Sequence, residues 1–133
     1  MSNMSIILPY RKKATGIQYM IKREFIVGWD QNPDICGISA TGPDAQLESA
    51  LCEILEKDLN LHAVSDDFMR LGVCALKRNS EHMCYLYAYN MNSKHDVFEK
   101  SKGDYHWVDD EELLESIDPY LLAAYARLKF LIL

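Results

Sequence analysis

The feature that most constrains the fold is one amphipathic helix, predicted for residues 41–61 (TGPDAQLESALCEILEKDLNL). Its apolar side chains recur at helical spacing and form one stripe. The residues of this stripe are Leu47, Leu51, Ile54 and Leu55. Pro43 suits the first helical position, and Asp44 places negative charge where the helix dipole favours it. A helix with one apolar stripe has to cover an apolar surface, which the rest of the chain must supply.

Alternating and apolar segments on both sides of this helix predict strands. The predicted strands are residues 5–10, 16–23, 69–76, 83–90 and 105–108. Residues 28–42 are rich in Gly, Pro, Asn and Asp, which predicts a loop with a short strand near Ile35. Asp109, with Glu112 three residues later, predicts a helix start, and Asp118 followed by Pro119 predicts a final helix that ends near residue 129.

Strands that come in groups, without strict strand–helix alternation, indicate an α+β fold. We predict an α-β-α sandwich with a mixed β-sheet between helices, formed by a single domain over residues 1–133. Tyr85, Tyr87 and Tyr89 share one face of a predicted strand. They suit stacking on a nucleobase, but packing beneath a helix is the favoured interpretation.

Composition excludes several classes of partner. The net charge of -6 argues against general nucleic-acid binding, which needs a surplus of Lys and Arg. The basic residues near the N-terminus follow the apolar run, unlike in a signal peptide, and no apolar run is long enough to span a bilayer. The four cysteines include no C-x-x-C pair, so we predict free thiols and a cytoplasmic location.

Two acids on the predicted helix suggest metal chemistry. Glu53 and Glu56 are one turn apart and share a helical face, and carboxylate oxygens are the ligands that Mg²⁺ prefers. Lys57 stands where a third ligand would complete the group, and its ammonium would repel a divalent ion. The alternative is an ordinary ion pair between Glu53 and Lys57, four residues apart on the helix.

The order of elements resembles that of the Nudix hydrolase family, over nearly the whole chain. Its signature is G-x5-E-x7-R-E-U-x-E-E-x-G-U, in which U is apolar. The segments that carry the resemblance are YMIKRE, GWDQNPDICGI, the helix, MRLGVCAL, MCYLYAYN and HWVDDEELL. The resemblance implies a mixed sheet between helices, with the signature as a loop, helix and loop.

Laid on the signature without gaps, the chain keeps two of its acids and loses other positions. Glu53 and Glu56 match, whereas Cys52 replaces the Arg and Lys57 replaces the last Glu. The closing Gly and apolar positions then hold Leu59 and Asn60. One inserted residue would instead place Asn60 and Leu61 in those two roles.

The resemblance implies a site at this helix. Glu53 and Glu56 would be the catalytic residues, and together with Asp104 they would hold Mg²⁺ or Mn²⁺. Glu99, which like Asp104 precedes Trp107 in the chain, is a further acid that could supply a ligand. The implied substrate contacts are Arg23, Trp29 and Gly37.

The implied activity is Mg²⁺-dependent hydrolysis of a nucleoside diphosphate linked to another moiety, with a nucleotide-type small molecule as the partner. The alternative is a non-catalytic nucleotide-binding or regulatory module of the same fold, because Cys52 and Lys57 depart from the signature. The apolar C-terminal segment YLLAAYARLKFLIL suggests a surface that covers a second subunit, so a homodimer is a further hypothesis.

Overall fold

The computed structural model describes residues 3–28, 34–92 and 104–132 of the chain. The strands of this part are β1 (Asn3–Lys13), β2 (Gly16–Glu24), β3 (Asp34–Cys36), β4 (Ile38–Gly42), β5 (Phe68–Ala75), β6 (Met83–Asn90) and β7 (Tyr105–Val108). The helices are α1 (Asp44–Leu59), α2 (Asp110–Leu113) and α3 (Pro119–Ile132). The predicted order along the chain, with groups of strands before and after α1, is confirmed.

The seven described strands form one mixed sheet with β1 at its centre. The main order is β3-β2-β1-β6-β5, and β4 pairs with β1 while β7 pairs with β2. Strands β1 and β6 run parallel, and the other pairs are antiparallel. The predicted mixed sheet is therefore confirmed.

Helices cover both faces of the sheet because alternate strand residues point to opposite sides. In β1, Ile7 packs in the core beneath α1, whereas Ile6 and Leu8 pack in the core beneath α3. All three side chains are fully buried. The two cores make the predicted α-β-α sandwich, and they fix α1 on one face of the sheet.

Three of the four residues of the predicted apolar stripe of α1 are buried, and the fourth, Ile54, is only partly buried. Leu47, Leu51 and Leu55 are buried, and Leu59 extends the stripe by one turn. The predicted first helical residue, Pro43, instead precedes the helix, because its ψ of 148° is extended. The helix therefore begins one residue after the predicted first position, and residues 41–42 of the predicted range instead belong to β4.

The C-terminal end of α1 is closed by a residue in the left-handed conformation. Asn60 has φ 56°, and its N–H donates to the Glu56 carbonyl at 3.0 Å. The next residue, Leu61, donates its N–H to the Leu55 carbonyl at 3.1 Å and buries its side chain. Asn is one of the few residues other than Gly that adopts this conformation readily.

The short strand predicted near Ile35 is confirmed as β3, whereas the loop predicted for the rest of residues 28–42 is wrong at β4. β3 pairs with β2, and β4 pairs with β1 over five residues, with Ile38 opposite Ile7. Ile35 and Ile38 are buried in the two cores. Composition missed β4 because its stability comes from pairing with a distant strand and not from its own residues.

The tyrosines of β6 pack beneath α1, as the favoured interpretation predicted. The Tyr87 hydroxyl donates to Glu48 at 2.8 Å, and the Tyr85 hydroxyl donates to Asp44 at 3.1 Å. Tyr89 is buried in the same core. The Tyr85 and Tyr87 hydroxyls are therefore bonded to α1, and the Tyr89 side chain is buried in the core around it.

The predicted caps of the last two helices are also confirmed. Asp109 Oδ1 accepts from the Glu112 N–H at 2.8 Å, and Asp118 Oδ1 accepts from the N–H groups of Tyr120 and Leu121. None of the helices in the described part of the chain is both long and apolar enough to cross a membrane.

Candidate functional site

A small cavity, here called the α1 cavity, opens between α1 and the sheet. Its volume is about 180 Å³. Side chains from the end of β2, the corner between β3 and β4, α1 and β7 meet in it. The lining residues are Lys22, Glu24, Gly37, Ile38, Ser39, Ile54, Asp58 and Tyr105. Convergent polar groups in a concavity are typical of a binding site.

Strand β2 determines which basic residue reaches this cavity. Its alternate residues point to opposite faces, so Met20 packs beneath α1 while Lys22 and Glu24 line the cavity. Arg23 lies on the other face, where its Nη2 is 2.6 Å from Glu112 Oε2. Lys22 is therefore the basic residue of the cavity, and Arg23 instead attaches α2 to the sheet.

A tyrosine and an aspartate are joined inside the cavity. The Tyr105 hydroxyl donates to Asp58 Oδ2 at 2.6 Å. Burial, and to a smaller extent this hydrogen bond, raises the pKa of Tyr105, so the hydroxyl stays protonated and remains a donor. Lys22 Nζ lies 5.7 Å from the Tyr105 ring centroid and 4.0 Å from Glu24 Oε1. One ammonium and two carboxylates therefore lie around a neutral phenol.

Strand β3 adds two buried side chains beside the cavity. Cys36 is opposite Lys22 and Asp34 is opposite Glu24 in the antiparallel pairing, so each pair shares a face. Burial raises the pKa of Cys36 to about 12, which keeps the thiol protonated and poorly nucleophilic. Asp34 is fully buried, and neither carboxylate oxygen has a hydrogen-bond partner among the described residues. Its loop-like sequence context had given no sign of this.

The predicted ligands on α1 lie on its solvent face. Each helical residue turns by about 100°. Glu53 is two residues from both Leu51 and Leu55, so it lies opposite the buried stripe and is exposed. Glu56 is also exposed, with its Oε1 3.6 Å from His62 Nδ1. Neither glutamate lines the α1 cavity, and their role as metal ligands stays a prediction.

The ion pair between Glu53 and Lys57, predicted as the alternative to a metal site, is not formed. Among the ion pairs of the described residues, none joins Glu53 to Lys57. Both side chains are exposed on α1. Water therefore surrounds both groups, and neither a metal nor a lysine is needed to explain an exposed carboxylate.

Three further predicted residues lie outside the lining of the α1 cavity or outside the described residues. Asp104 is exposed, and its backbone carbonyl accepts a 2.7 Å hydrogen bond from the Arg23 N–H. Trp29 and Glu99 lie outside the described residues. The structure therefore brings none of Arg23, Asp104, Glu53 and Glu56 together in the α1 cavity.

Gly37 does line the cavity, and its contacts explain why it is glycine. Its N–H donates to the buried Asp118 Oδ2 at 2.9 Å. A Cβ atom at this position would collide with the side chain of Ile6. Gly37 therefore allows close packing between the β3–β4 corner and the start of α3, and its predicted contact with a substrate stays a prediction.

The donor atoms of the described residues do not fit Mg²⁺ or Mn²⁺. Within residues 3–28, 34–92 and 104–132, no three His, Cys, Asp or Glu side chains form a group that could hold a metal ion. Glu24 and Asp58 share the cavity lining, but Lys22 lies beside the first and Tyr105 already bonds to the second. Magnesium prefers a near-octahedral shell of oxygens without a neighbouring cation.

The end of α1 favours the signature alignment with one inserted residue. Asn60 takes the left-handed conformation expected of the closing Gly, and the buried Leu61 takes the closing apolar position. In this alignment the inner apolar position falls on the fully buried Leu55. The last Glu of the signature then corresponds to Asp58, and the Glu after the Arg corresponds to Ile54.

Asp58 is thus the residue of this helix that sequence reasoning missed. The signal that pointed to it is the spacing of leucines, because a stripe at residues 47, 51, 55 and 59 puts residue 58 near that stripe and residue 53 opposite it. The gapless alignment matches the Glu residues of the signature, but it does not take into account which face of the helix is buried.

Comparison with known proteins identifies the fold. The C-terminal domain of mouse MUTYH, solved in complex with human PCNA, superimposes with a TM-score of 0.75 at 10% identity, over 98% of this chain and 88% of that one. The Ap4A hydrolase of C. elegans gives 0.64 at 12% identity, over 100% and 99%. The Nudix domain of Shewanella oneidensis NrtR, complexed with ADP ribose, gives 0.63 at 11% identity, over 94% and 86%.

The sequence by itself matches no protein family and no curated protein. The likeness therefore rests on the arrangement of the sheet and helices, which several Nudix proteins share along nearly the whole chain. The resemblance stated from the order of elements is confirmed at the level of the fold: this chain has the Nudix fold.

Proposed function

We propose that this chain is a Nudix-fold binding module that holds a nucleotide-type small molecule in the α1 cavity without hydrolysing it. The orientation of α1 carries this proposal, because Ile54 and Asp58 line the cavity while Glu53 and Glu56 are exposed outside it. Metal-dependent hydrolysis of a diphosphate needs several oxygen ligands around one ion. The described residues do not gather such a group at this cavity.

Lys22 is the residue we assign to the anionic part of the ligand. Its ammonium is 4.0 Å from Glu24, and both side chains are partly exposed, so this ion pair is weak and can give way to a phosphate. Ser39 lies in the lining as a further polar contact. The complex of one structural neighbour with ADP ribose supports a ligand that carries a diphosphate.

We place this role in the cytoplasm. Cys36, Cys52, Cys74 and Cys84 are all free. Cysteines that stay unpaired are typical of a reducing compartment.

The second candidate is the Mg²⁺- or Mn²⁺-dependent hydrolase implied by the family resemblance. Its predicted ligands are Glu53, Glu56 and Asp104. One observation favours it: Glu24 and Asp58 place two carboxylates in one cavity of a Nudix fold. Activity lost on Glu53→Gln would support the predicted ligands, and activity lost on Asp58→Asn would support the cavity.

The test measures binding and turnover on the same nucleotides. Calorimetric titration with ADP ribose, diadenosine tetraphosphate and nucleoside triphosphates is run with EDTA and again with Mg²⁺ or Mn²⁺. We expect at least one of them to bind in EDTA, and Lys22→Ala to weaken it about tenfold, or about 1.4 kcal/mol. Lys57→Ala is the matched control, since it removes the same charge from the exposed face and should leave the affinity unchanged.

Turnover is followed as release of phosphate or nucleoside monophosphate from each compound. The binding proposal expects no release above the buffer rate with either metal. Release that EDTA stops would overturn it in favour of the hydrolase. An affinity that falls equally in Lys22→Ala and Lys57→Ala would place the ligand elsewhere.

A further inference from the structure

Two exposed apolar surfaces on this chain carry opposite charge. The first, here called the α3 groove, is a cavity of about 350 Å³ between the last turns of α3 and the edge strand β5. Its lining residues are Arg70, Leu71, Ala126, Arg127, Phe130 and Leu131. Phe130 is 84% exposed, and Leu131 is exposed beside it. Large apolar side chains that stay in water at one place are typical of an interaction surface.

The arginines of the α3 groove are held in place by the protein. Arg127 Nη1 donates to the Leu71 carbonyl at 3.0 Å and to the Val73 carbonyl at 3.4 Å. Arg70 also lines the groove, but its Nη2 lies 2.9 Å from Glu48 Oε2 of α1, so its charge is paired on the opposite face of the sheet and Arg127 is the cation of the groove. Guanidinium groups that are already oriented lose little side-chain freedom when a partner binds. The groove is thus a preorganised basic site on a chain whose net charge is -6.

The second surface, here called the α2 ridge, comprises Glu111, Leu114, Glu115 and Ile117. Leu114 is 57% exposed and Ile117 is also exposed, although Leu113, the last residue of α2, is fully buried. Glu111 and Glu115 are exposed and line a cavity of about 530 Å³ whose other lining residues are Asp109, Glu112, Ile35 and Arg23, with Arg23 paired to Glu112. The ridge therefore combines two aliphatic side chains with negative charge.

We propose that the α2 ridge of one copy of this chain docks in the α3 groove of a second copy. Only this pairing joins opposite charges and covers both apolar pairs. Groove against groove would bring Arg127 against the same arginine, and ridge against ridge would bring Glu111 and Glu115 against the same glutamates. Like charges across an interface suppress a wrong pairing.

The proposed contact is heterologous, since the two surfaces differ. Such a contact adds copies head to tail and ends only if the rotation closes a ring. The charged part lies at the rim and is screened by salt. The chain should therefore assemble further as its concentration rises, and less so in high salt.

The experiment uses sedimentation velocity of the full chain and of two single variants at exposed sites. Phe130→Ser removes the anchor of the groove, and Leu114→Ser removes the anchor of the ridge. We expect each variant alone to be a monomer at concentrations where the wild type assembles. Mixed in equal amounts, the two variants should form a dimer, because the intact ridge of one fits the intact groove of the other.

Val64→Ser is the matched control, since Val64 is an exposed apolar residue outside both surfaces. It should assemble as the wild type does, and circular dichroism checks that all three variants are folded. A wild type that stays monomeric throughout overturns the proposal. So does assembly that persists in Leu114→Ser, or a mixture that remains monomeric, because either result requires a contact other than ridge in groove.

Discussion

The two sides of α1 carry similar side chains with different consequences. The solvent side carries Glu53, Glu56 and Lys57, all exposed, and the cavity side carries Ile54 and Asp58. A shift of one residue rotates a side chain by about 100° around the helix. This is enough to move a carboxylate from water into a cavity, so the number of acids in a motif does not by itself determine a site.

The environments of the two sides also differ in energy. On the solvent side, water and salt screen the charges, and exposed pairs contribute little. On the cavity side, Asp58 is bonded to a buried tyrosine at 2.6 Å. On the other flank of α1, Glu48 likewise accepts a hydrogen bond from the Tyr87 hydroxyl at 2.8 Å. Two tyrosines of the sheet therefore fix the rotation of α1 from both flanks.

The largest effect expected from this comparison is on stability. Leu55→Ala removes a fully buried side chain from the stripe and should lower the free energy of unfolding by about 2–5 kcal/mol. Glu53→Ala, two residues away, should change it by less than about 0.5 kcal/mol. Urea unfolding followed by circular dichroism measures both. Equal losses would mean that α1 is rotated from the orientation described.

The leucines of α1 show what the sequence could predict. Their spacing fixed the buried face of the helix, and alternation in residues 16–23 and 83–90 fixed two strands, because both patterns reflect burial of one face. β4 could not be found in this way. Ser39 and Thr41 in β4 are exposed, and the strand exists because it pairs with residues 3–7 far away in the chain.

The candidate site was predictable only in part. The helix and the basic end of β2 were predictable, but the sequence does not show that Arg23 points to Glu112 while Lys22 lines the α1 cavity. Asp58 was missed because a gapless match ignored the buried stripe. No sequence pattern predicted the burial of Asp34, because its place beside Glu24 depends on the pairing of β2 and β3.

Placing a carboxylate on the cavity side should sharpen the contrast. Ile54→Glu would put an acid one turn before Asp58, as the third carboxylate of the cavity lining after Glu24 and Asp58, and we expect Mn²⁺ affinity to rise about tenfold, or about 1.4 kcal/mol. Lys57→Glu adds an acid on the solvent side and should leave the affinity unchanged. Electron paramagnetic resonance titration of free Mn²⁺ measures both variants. A larger gain in Lys57→Glu would favour the gapless alignment.

Removing the hydroxyl that holds Asp58 should have a smaller effect. Tyr105→Phe deletes a hydrogen bond to a carboxylate and should lower the free energy of unfolding by about 1 kcal/mol at pH 7. Tyr87→Phe, which deletes the bond to Glu48 on the other flank, is the matched comparison. Thermal unfolding measures both. No change in Tyr105→Phe would show that water replaces the bond without cost.

Tyr105→Phe should also change how the free energy of unfolding depends on pH in the alkaline range. The pKa of Tyr105 is raised in the folded state, so above about pH 10 the unfolded chain loses this proton while the folded chain keeps it. Stability therefore falls as pH rises, by up to about 1.4 kcal/mol per pH unit for each such tyrosine. Tyr105→Phe should make this fall less steep above about pH 10, the ordinary tyrosine pKa. An unchanged slope would mean that Tyr105 ionises equally in both states.

The smallest effect concerns the charges on the solvent side. Since no ion pair joins Glu53 to Lys57, a double-mutant cycle with Glu53→Gln and Lys57→Met should give a coupling energy below about 0.3 kcal/mol. Chemical unfolding of the four proteins at low salt measures it. A coupling near 1 kcal/mol that disappears in high salt would mean that the pair forms in solution. The solvent side would then be a fixed ionic surface and no longer simply the hydrated back of the helix.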